Sequence, residues 1–276
     1  MNALFPRSAN YRELVPGNLM GPHVLWLMES LCARTELATG TRVMDLGCGK
    51  AISSIFLARE FGVQVWATDL WIAATDNWKR IRQAGLEEQV FPIHAEARAL
   101  PYPDEFFDAI LSVDAYHYFG TDDLYLEKLV RCLKPAGQLA IACPGLAREL
   151  RNDEIPEYLR DFYFHQQWHS FHSPAWWRWH WEKSGAVEVV CAEEIPQAAE
   201  NLELKHPAGQ SRRAGHPRRR RQAPDLQPSG RPQACKVLAS SWGSSVTPKW
   251  RAGHRLPVGA ASGGTRPSPW RVPRGS

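Results

Sequence analysis

The stretch VMDLGCGK, residues 43–50, constrains the fold more than any other part of the chain. An apolar strand through Val43 and Met44 ends at an acid, Asp45, two residues before a Gly-x-Gly turn. The apolar-rich segment AISSIFLAREF follows, and its length and composition predict a helix. A strand, a glycine turn and a helix in this order are typical of a parallel α/β sheet that binds a nucleotide-type ligand at the turn.

The alternation of strands and helices continues through the first two hundred residues. We predict further strands near VQVWAT, VFPIHA, DAILSV, QLAIAC and VEVVC, with helices between them. The strands at residues 43–46, 110–113 and 138–142 are rich in apolar residues, which indicates a sheet covered on both faces. The predicted fold class is therefore α/β, a doubly wound, Rossmann-like and mostly parallel sheet with helices on both faces. Residues 1–39 are predicted to form an N-terminal cap and helix.

Charge and composition divide the chain near residue 200. Residues 1–200 carry 18 Lys and Arg against 27 Asp and Glu, a formal charge of −9, whereas residues 201–276 carry 15 against 2, a charge of +13. The last 76 residues hold 10 Pro and 9 Gly but no Ile, Phe, Tyr or Met, so they have little to bury. We predict a folded domain over residues 40–200 and a basic tail over 201–276 that is disordered or translated from a shifted reading frame.

The sequence also bears on compartment and metal binding. The N-terminus MNALFPRSAN has no apolar core of a secretory signal, and no apolar run approaches the roughly 20 residues that a membrane span needs. The six cysteines form no CxxC pair and no metal-binding spacing. We therefore predict a cytoplasmic protein with free thiols, no membrane association and no metal.

Two features of the turn favour a cationic ligand over a dinucleotide. A dinucleotide-binding turn has the pattern G-x-G-x-x-G, whereas Ile52 occupies the third glycine position here. The carboxylate of Asp45 would also repel a pyrophosphate. S-adenosylmethionine, which carries an ammonium and a sulfonium but no phosphate, suits an acid at this place. Asp69 follows Gly49 by 20 residues and ends the second strand, where a carboxylate can accept hydrogen bonds from both ribose hydroxyls.

With these residues in place, residues 40 to about 143 resemble the class I S-adenosylmethionine-dependent methyltransferases. VMDLGCGKA resembles the family's first motif, with Ala51 where the family has glycine, and WATDL supplies the ribose acid Asp69. HAEARALPYPDEFFDAILSV resembles the family's "GDA-x-x-LPF … FD" segment, and LKPAGQLAI resembles its "LKPGG" turn. The resemblance implies S-adenosylmethionine as cofactor, a small-molecule methyl acceptor, and a seven-stranded sheet whose last strand is antiparallel.

The residues and the resemblance together predict the cofactor site. The resemblance places Glu96 near the adenine amino group and the backbone N–H of Ala97 against the ring, and the N-terminal stretch YRELVPGN is expected to close over the cofactor. The predicted cofactor-binding residues are Tyr11, Asp45, Gly47, Cys48, Gly49, Asp69, Leu70, Glu96, Ala97 and Asp114.

Two segments are candidates for the acceptor side. VDAYHYFG, residues 113–120, follows the fourth strand, where acceptor pockets of this fold lie, and it lacks the (N/D)PPY motif of nucleic-acid amino-methyltransferases. The aromatic insert, residues 160–182, is predicted to be a lid whose aromatic side chains pack on the sheet, or an aromatic cage for a cationic or flat acceptor. A helix would place His165, His169 and His172 on one face, but no Cys or acid completes a zinc site. The predicted catalytic residues are His117, His169 and His172.

The C-terminal part leaves two points open. Nothing in the tail has the pattern of a good strand, and KVLASSW, residues 236–242, is the best available, so we predict a sheet edge that is incomplete or poorly made. Two alternative functions remain: an RNA methyltransferase aided by the basic run 212–221, and a catalytically inactive cofactor-binding domain. The charge of −9 on residues 1–200 argues against the first, because it would repel phosphates from most of the domain.

Overall fold

The computed structural model describes residues 5–155, 157, 160 and 168–195, together with the backbone of one strand at Lys236–Gly243. The chain divides into two units, Met1–Ser245 and Val246–Ser276, and every described residue belongs to the first. His165 and the basic run 212–221 lie outside the described residues.

The described strands form one seven-stranded sheet in the order β3-β2-β1-β4-β5-β7-β6, and every neighbouring pair is parallel. The strands are β1 Arg42–Leu46, β2 Gln64–Asp69, β3 Val90–His94, β4 Phe107–Val113, β5 Leu133–Gly145, β6 Glu188–Glu194 and β7 Lys236–Gly243. The strand order reverses direction between β1 and β4. In an open α/β sheet, a ligand crevice forms at such a point, beyond the carboxyl ends of the strands.

Helices cover both faces of the sheet, as predicted. The α-helices are α1 Val24–Cys32, α2 Ile52–Phe61, α3 Ala74–Gln83, α4 Tyr125–Val130 and α5 Pro174–Glu182, and 3₁₀ helices cover Ser8–Leu14, Tyr116–Tyr118 and Trp168–Ser170. Alternate residues of β1 point to opposite faces, so Val43 packs in a core with α1 and α2, whereas Met44 packs in a second core with α4 and α5. Burial of both faces explains why the central strands are almost wholly apolar.

The start of α5 shows how local sequence builds the second core. Ser173 caps the helix by accepting a hydrogen bond from the backbone N–H of Trp176 at 3.2 Å, and Pro174 occupies the first helical position. From this start, Trp177 and Trp181 fall on one helix face and are completely buried against the sheet. The packing of aromatic side chains from this part of the insert on the sheet is therefore present in the structure.

The seventh strand differs from the antiparallel strand that the resemblance implies. The segment KVLASSW does form a strand, but β7 runs parallel between β5 and β6, with Leu139 opposite Val237 and Glu188 opposite Lys236. Among the described strands, none is antiparallel. About forty residues separate β6 from β7, which is long enough for the crossover that a parallel connection requires, whereas an antiparallel neighbour needs only a short turn.

None of the helices in the described part of the chain is both long enough and apolar enough to cross a membrane.

Candidate active site

A cavity of about 350 Å³ lies at the carboxyl ends of β1, β2 and β4, where the strand order reverses. Its walls come from five segments of the chain that are far apart in sequence: residues 18–24, 46–52, 68–71, 95–98 and 113–119. The sheet brings them together because parallel strands end at the same edge.

The glycine turn after β1 forms the floor of the cavity and touches the loop after β4. Gly47 has a φ of +78°, and its N–H donates to the Thr68 carbonyl at 2.8 Å, which ties the turn to the end of β2. A Cβ at Gly47 would overlap the Cβ of Ala115. Only glycine satisfies both the left-handed φ and this close approach. Gly49 lines the same cavity, also with a positive φ, +54°.

Asp69 lies at the end of β2 with its carboxylate on the cavity wall. Its Oδ2 accepts the N–H of Gly49 at 2.8 Å, and its Oδ1 accepts the N–H groups of Trp71 at 2.7 Å and Ile72 at 2.9 Å. These three bonds fix the carboxylate relative to the glycine turn. Because each carboxylate oxygen can accept about two hydrogen bonds, Oδ2 retains capacity for a ligand hydroxyl.

Three other predicted cofactor residues also line the cavity. Leu70 is 43% exposed at its edge, whereas Cys48 is buried in the turn, and burial raises the pKa of its thiol well above the usual value. Glu96, about half exposed, follows β3 and lies 4.0 Å from Arg98. Cys48 is therefore a protonated, unreactive thiol at neutral pH.

Ala97 lines the cavity as well, and its carbonyl accepts the Tyr125 hydroxyl at 3.1 Å. That hydrogen bond attaches the segment after β3 to α4. The backbone of Ala97, which the resemblance assigns to the cofactor's ring, is thus held in place by a buried side chain.

Asp45 is in the predicted strand position but does not line the cavity. Its carboxylate is 1% exposed and accepts the hydroxyls of Ser53 and Ser54, both at 2.6 Å. Burial raises its pKa to about 6, although the two hydroxyls oppose the shift. The side chain joins the end of β1 to the first turn of α2, so the contact with a ligand cation that the sequence suggested is not part of the described geometry.

Asp114 follows β4 directly and does line the cavity. It adopts a left-handed φ of +55°, while its N–H donates to the Ala142 carbonyl at 2.8 Å. Burial raises the pKa of its carboxyl to about 7. No residue in the described part of the chain donates a hydrogen bond to that carboxylate.

The N-terminal segment covers the cavity with other residues than Tyr11. The Tyr11 hydroxyl donates to Glu60 at 2.6 Å, and its ring packs edge-on against Phe56, away from the cavity lining. Asn18, at the end of YRELVPGN, does line the cavity, and the Lys50 ammonium donates to the Gly17 carbonyl at 2.5 Å. Gly17 and Asn18 thus lie beside the cavity, and closure of this stretch over a cofactor stays a prediction.

None of the three predicted catalytic histidines lines the cavity. His117 is 1% exposed, and burial lowers its pKa to about 4; neither ring nitrogen has a hydrogen-bond partner among the described residues. His172 stacks on Trp176 with ring centroids 3.5 Å apart, while its Nδ1 lies 3.0 Å from a Glu149 carboxylate oxygen. His169 is exposed on a 3₁₀ helix. Within the described residues, no group of three or more His, Cys, Asp or Glu could hold a metal ion.

The aromatic rim of the cavity was not predicted from the sequence. Trp71 is 60% exposed and Tyr118 is 47% exposed, with ring centroids 5.8 Å apart. Both follow strands that carry a predicted site residue, two residues after Asp69 and four after Asp114. Their position just beyond those strand ends could have identified them as cavity-lining residues.

The residues around this cavity are similar to known proteins. Residues 43–137 match the methyltransferase domain family. The chain is 32% identical over 117 residues to methyltransferase GfsG of Streptomyces halstedii, a match that covers 42% of each protein. It is 34% identical over 114 residues to fatty-acid O-methyltransferase of Mycolicibacterium smegmatis, covering 40% of this chain and 39% of that one. The chain thus spans less than half the length of these relatives.

A solved structure shows the same fold. Phosphoethanolamine N-methyltransferase 2 of Haemonchus contortus, in complex with S-adenosyl-L-methionine, matches with a TM-score of 0.54 at 21% identity. The match covers 62% of this chain and 39% of that one. At this level of identity, the likeness bears on the fold alone.

Proposed function

Because residues 43–137 belong to the class I S-adenosylmethionine-dependent methyltransferase superfamily, we propose that this chain transfers a methyl group from S-adenosylmethionine to a small-molecule acceptor. The observation that carries the proposal is the convergence of separate predicted motifs on one cavity. The glycine turn, the acid after β2 and the segment after β3 were each predicted from local sequence, and all three line it.

The residues present fit this cofactor. The fixed carboxylate of Asp69 can accept a ribose hydroxyl while it keeps its three backbone hydrogen bonds. The glycine turn brings backbone, and no side chain, against the space beside Asp69. The backbone of Glu96 and Ala97 supplies the third wall, where the superfamily holds adenine.

The chain's own contribution to the reaction is alignment and exclusion of water. When bound, S-adenosylmethionine supplies a methyl group that is already activated as a sulfonium. The five wall segments line one cavity, and holding two reactants there would remove much of the entropic cost of bringing them together. Residues 18–22 of the N-terminal segment form one wall of that space.

The rim favours an acceptor with an apolar part. Met20, Leu70, Trp71 and Tyr118 are all between 43% and 60% exposed and all line the cavity. Exposed apolar side chains grouped around a cavity mark a binding surface for an apolar ligand. The relatives described above carry names for O- and N-methylation, so the acceptor atom of this chain does not follow from them.

Calorimetric titration with S-adenosylhomocysteine, the product form of the cofactor, tests the proposal. We expect micromolar binding by the full chain and no binding of NADH. Asp69→Asn should weaken the affinity by about 10- to 100-fold, because it replaces a charged hydrogen-bond acceptor with a neutral one. Asp76→Asn is the matched control, since Asp76 is 54% exposed on α3 and outside the cavity lining.

The outcomes separate cofactor binding from catalysis. Equal affinities of the wild-type chain and Asp69→Asn would place the ligand elsewhere. Binding without turnover of any member of a panel of amines, phenols, carboxylic acids and thiols would instead favour the inactive cofactor-binding domain.

A further inference from the structure

We propose that Asp114 faces the methyl acceptor and takes up the proton that the acceptor loses, so that the acceptor presents an N–H or O–H group to this carboxylate. The inference rests on the function proposed above and adds a substrate class to it: molecules with an ionisable nitrogen or oxygen attached to an apolar body.

The first argument for this role is the position of Asp114. The residue leaves β4 at the carboxyl edge of the sheet, and its left-handed φ of +55° is unusual for a residue other than glycine. The N-terminal segment approaches its carboxylate so closely that a Cβ at Gly21 would overlap Asp114 Oδ2. The carboxylate is thus held between the loop after β4 and the covering segment, on the wall of the cavity.

A second argument for this role is that no described residue donates a hydrogen bond to the Asp114 carboxylate. The three other acids near the turn, Asp45, Asp69 and Glu96, have hydroxyl, amide or cationic neighbours within 4.0 Å. Of the two cations that line the cavity, Lys50 contacts the Gly17 carbonyl and Arg98 the Tyr118 carbonyl. A half-buried carboxylate without a donor is costly unless a ligand supplies one.

The carboxyl is also tuned for proton transfer near neutral pH. Burial raises its pKa to about 7, close to the value at which a general base is most effective. In the step proposed here, the acceptor X–H gives its proton to a carboxylate oxygen of Asp114. The acceptor atom X forms a bond to the methyl carbon, the bond between that carbon and sulfur breaks, and its electron pair stays on sulfur as a neutral thioether.

Sinefungin tests the inference without knowledge of the acceptor. In this analogue, a carbon bearing an amine replaces the methyl-bearing sulfonium, so the amine occupies the place of the transferred methyl group. A carboxylate that faces the acceptor side should bind that amine. We expect the wild-type chain to bind sinefungin about 10- to 100-fold more tightly than S-adenosylhomocysteine in calorimetry.

The Asp114→Asn variant should lose most of this preference, because its affinity for sinefungin should fall at least about fivefold more than its affinity for S-adenosylhomocysteine. Gly21→Ala provides a second variant, because the added methyl displaces the carboxylate without removing it, and it should also lower the preference. Asp76→Asn should behave as wild type.

The pH dependence sharpens the test. The preference for sinefungin should rise as pH increases through about 7, because only the ionised Asp114 binds the amine strongly, and Asp114→Asn should flatten this rise. Burial, followed by the charge of Asp114, raises the pKa of Tyr118 and of Cys143 on β5. The other ionisable groups that line the cavity are Cys48, Lys50, Asp69, Glu96 and Arg98.

Two results would overturn the inference alone. Equal losses of sinefungin and S-adenosylhomocysteine affinity in Asp114→Asn would show that Asp114 holds the amino-acid end of the cofactor. An unchanged preference would show that it faces neither. Failure of the wild-type chain to bind either compound would instead contradict the proposed function on which the inference rests.

Discussion

Two regions of the molecule carry many side chains suited to chemistry: the turn region, residues 45–49, 69 and 114, and the aromatic region, residues 168–182. In the turn region, backbone N–H groups hold the Asp69 carboxylate on the wall of a cavity. In the aromatic region, the imidazole of His172 stacks on Trp176, and His180 is buried with its Nε2 3.0 Å from the Gly120 carbonyl.

The two regions differ in the surroundings of similar residue types. The aromatic region is richer in histidine and tryptophan, yet its described side chains serve mainly to pack α5 on the sheet. The turn region has fewer such groups, but the strand ends leave the carboxylates of Asp69 and Asp114 on the wall of a cavity. A cluster of catalytic residue types therefore indicates a site only where the backbone leaves a cavity beside it.

The largest predicted effect would test the packing role of the aromatic region. Trp177→Ala should lower the free energy of unfolding by about 3–5 kcal/mol, because Trp177 is completely buried. Trp179→Ala is the matched control on the same helix, since Trp179 is 56% exposed, and it should cost less than about 1 kcal/mol. Urea denaturation measures both. Similar losses for the two variants would contradict the packing role.

The next effect tests the turn region through its backbone. Gly47→Ala should lower the free energy of unfolding by about 2–4 kcal/mol, because alanine is strained at this left-handed φ and its Cβ would overlap Ala115. The same variant should bind S-adenosylhomocysteine at least about tenfold more weakly. Gly85→Ala provides the control, because Gly85 has a similar φ of +67° but open space at its Cβ position. Gly85→Ala should therefore lower the free energy of unfolding only by the cost of the left-handed φ, and its affinity for S-adenosylhomocysteine should not change.

A smaller effect distinguishes a packing role of His117 from a catalytic one. His117→Phe should raise the free energy of unfolding by about 1–2 kcal/mol at pH 7, because it removes two buried nitrogens that have no described partner. Cofactor affinity should not change. If His117 were the catalytic base, the variant would lose turnover while its stability changed little.

The same variant has a predicted pH dependence. Burial lowers the pKa of His117 to about 4, so the folded state resists a proton that the unfolded chain accepts near pH 6.5. The wild-type chain therefore loses stability as pH falls from about 6.5 to 4, and the phenylalanine variant lacks this contribution. The stability gap between them should widen over that interval; a constant gap would mean that His117 does not titrate in this way.

Local patterns predicted much of the fold and part of the site. The VMDLGCGK stretch, the strand ending at Asp69 and the segment after β3 were correctly located, because strand ends and glycine turns are set by short-range sequence. The parallel direction of β7 was not predicted, since it depends on pairing with β5 and β6, which are distant from β7 in sequence. The position of the Asp45 side chain was not predicted either, because Ser53 and Ser54 reach it only after α2 folds back.

The covering segment and the aromatic rim illustrate a second limit. Met20, Trp71 and Tyr118 meet at one cavity although they are separated by some fifty residues at each step. Local sequence patterns do not predict that these three side chains lie close together, because their proximity follows from the order of strands in the sheet.

The most direct test of the central claim, that the cavity beyond β1, β2 and β4 is the cofactor site, is a crystal structure of the full chain with S-adenosylhomocysteine. We expect ribose hydroxyls within hydrogen-bond distance of Asp69 and the adenine ring against the backbone of Glu96 and Ala97. A ligand bound outside this cavity, or a ribose that does not contact Asp69, would contradict it.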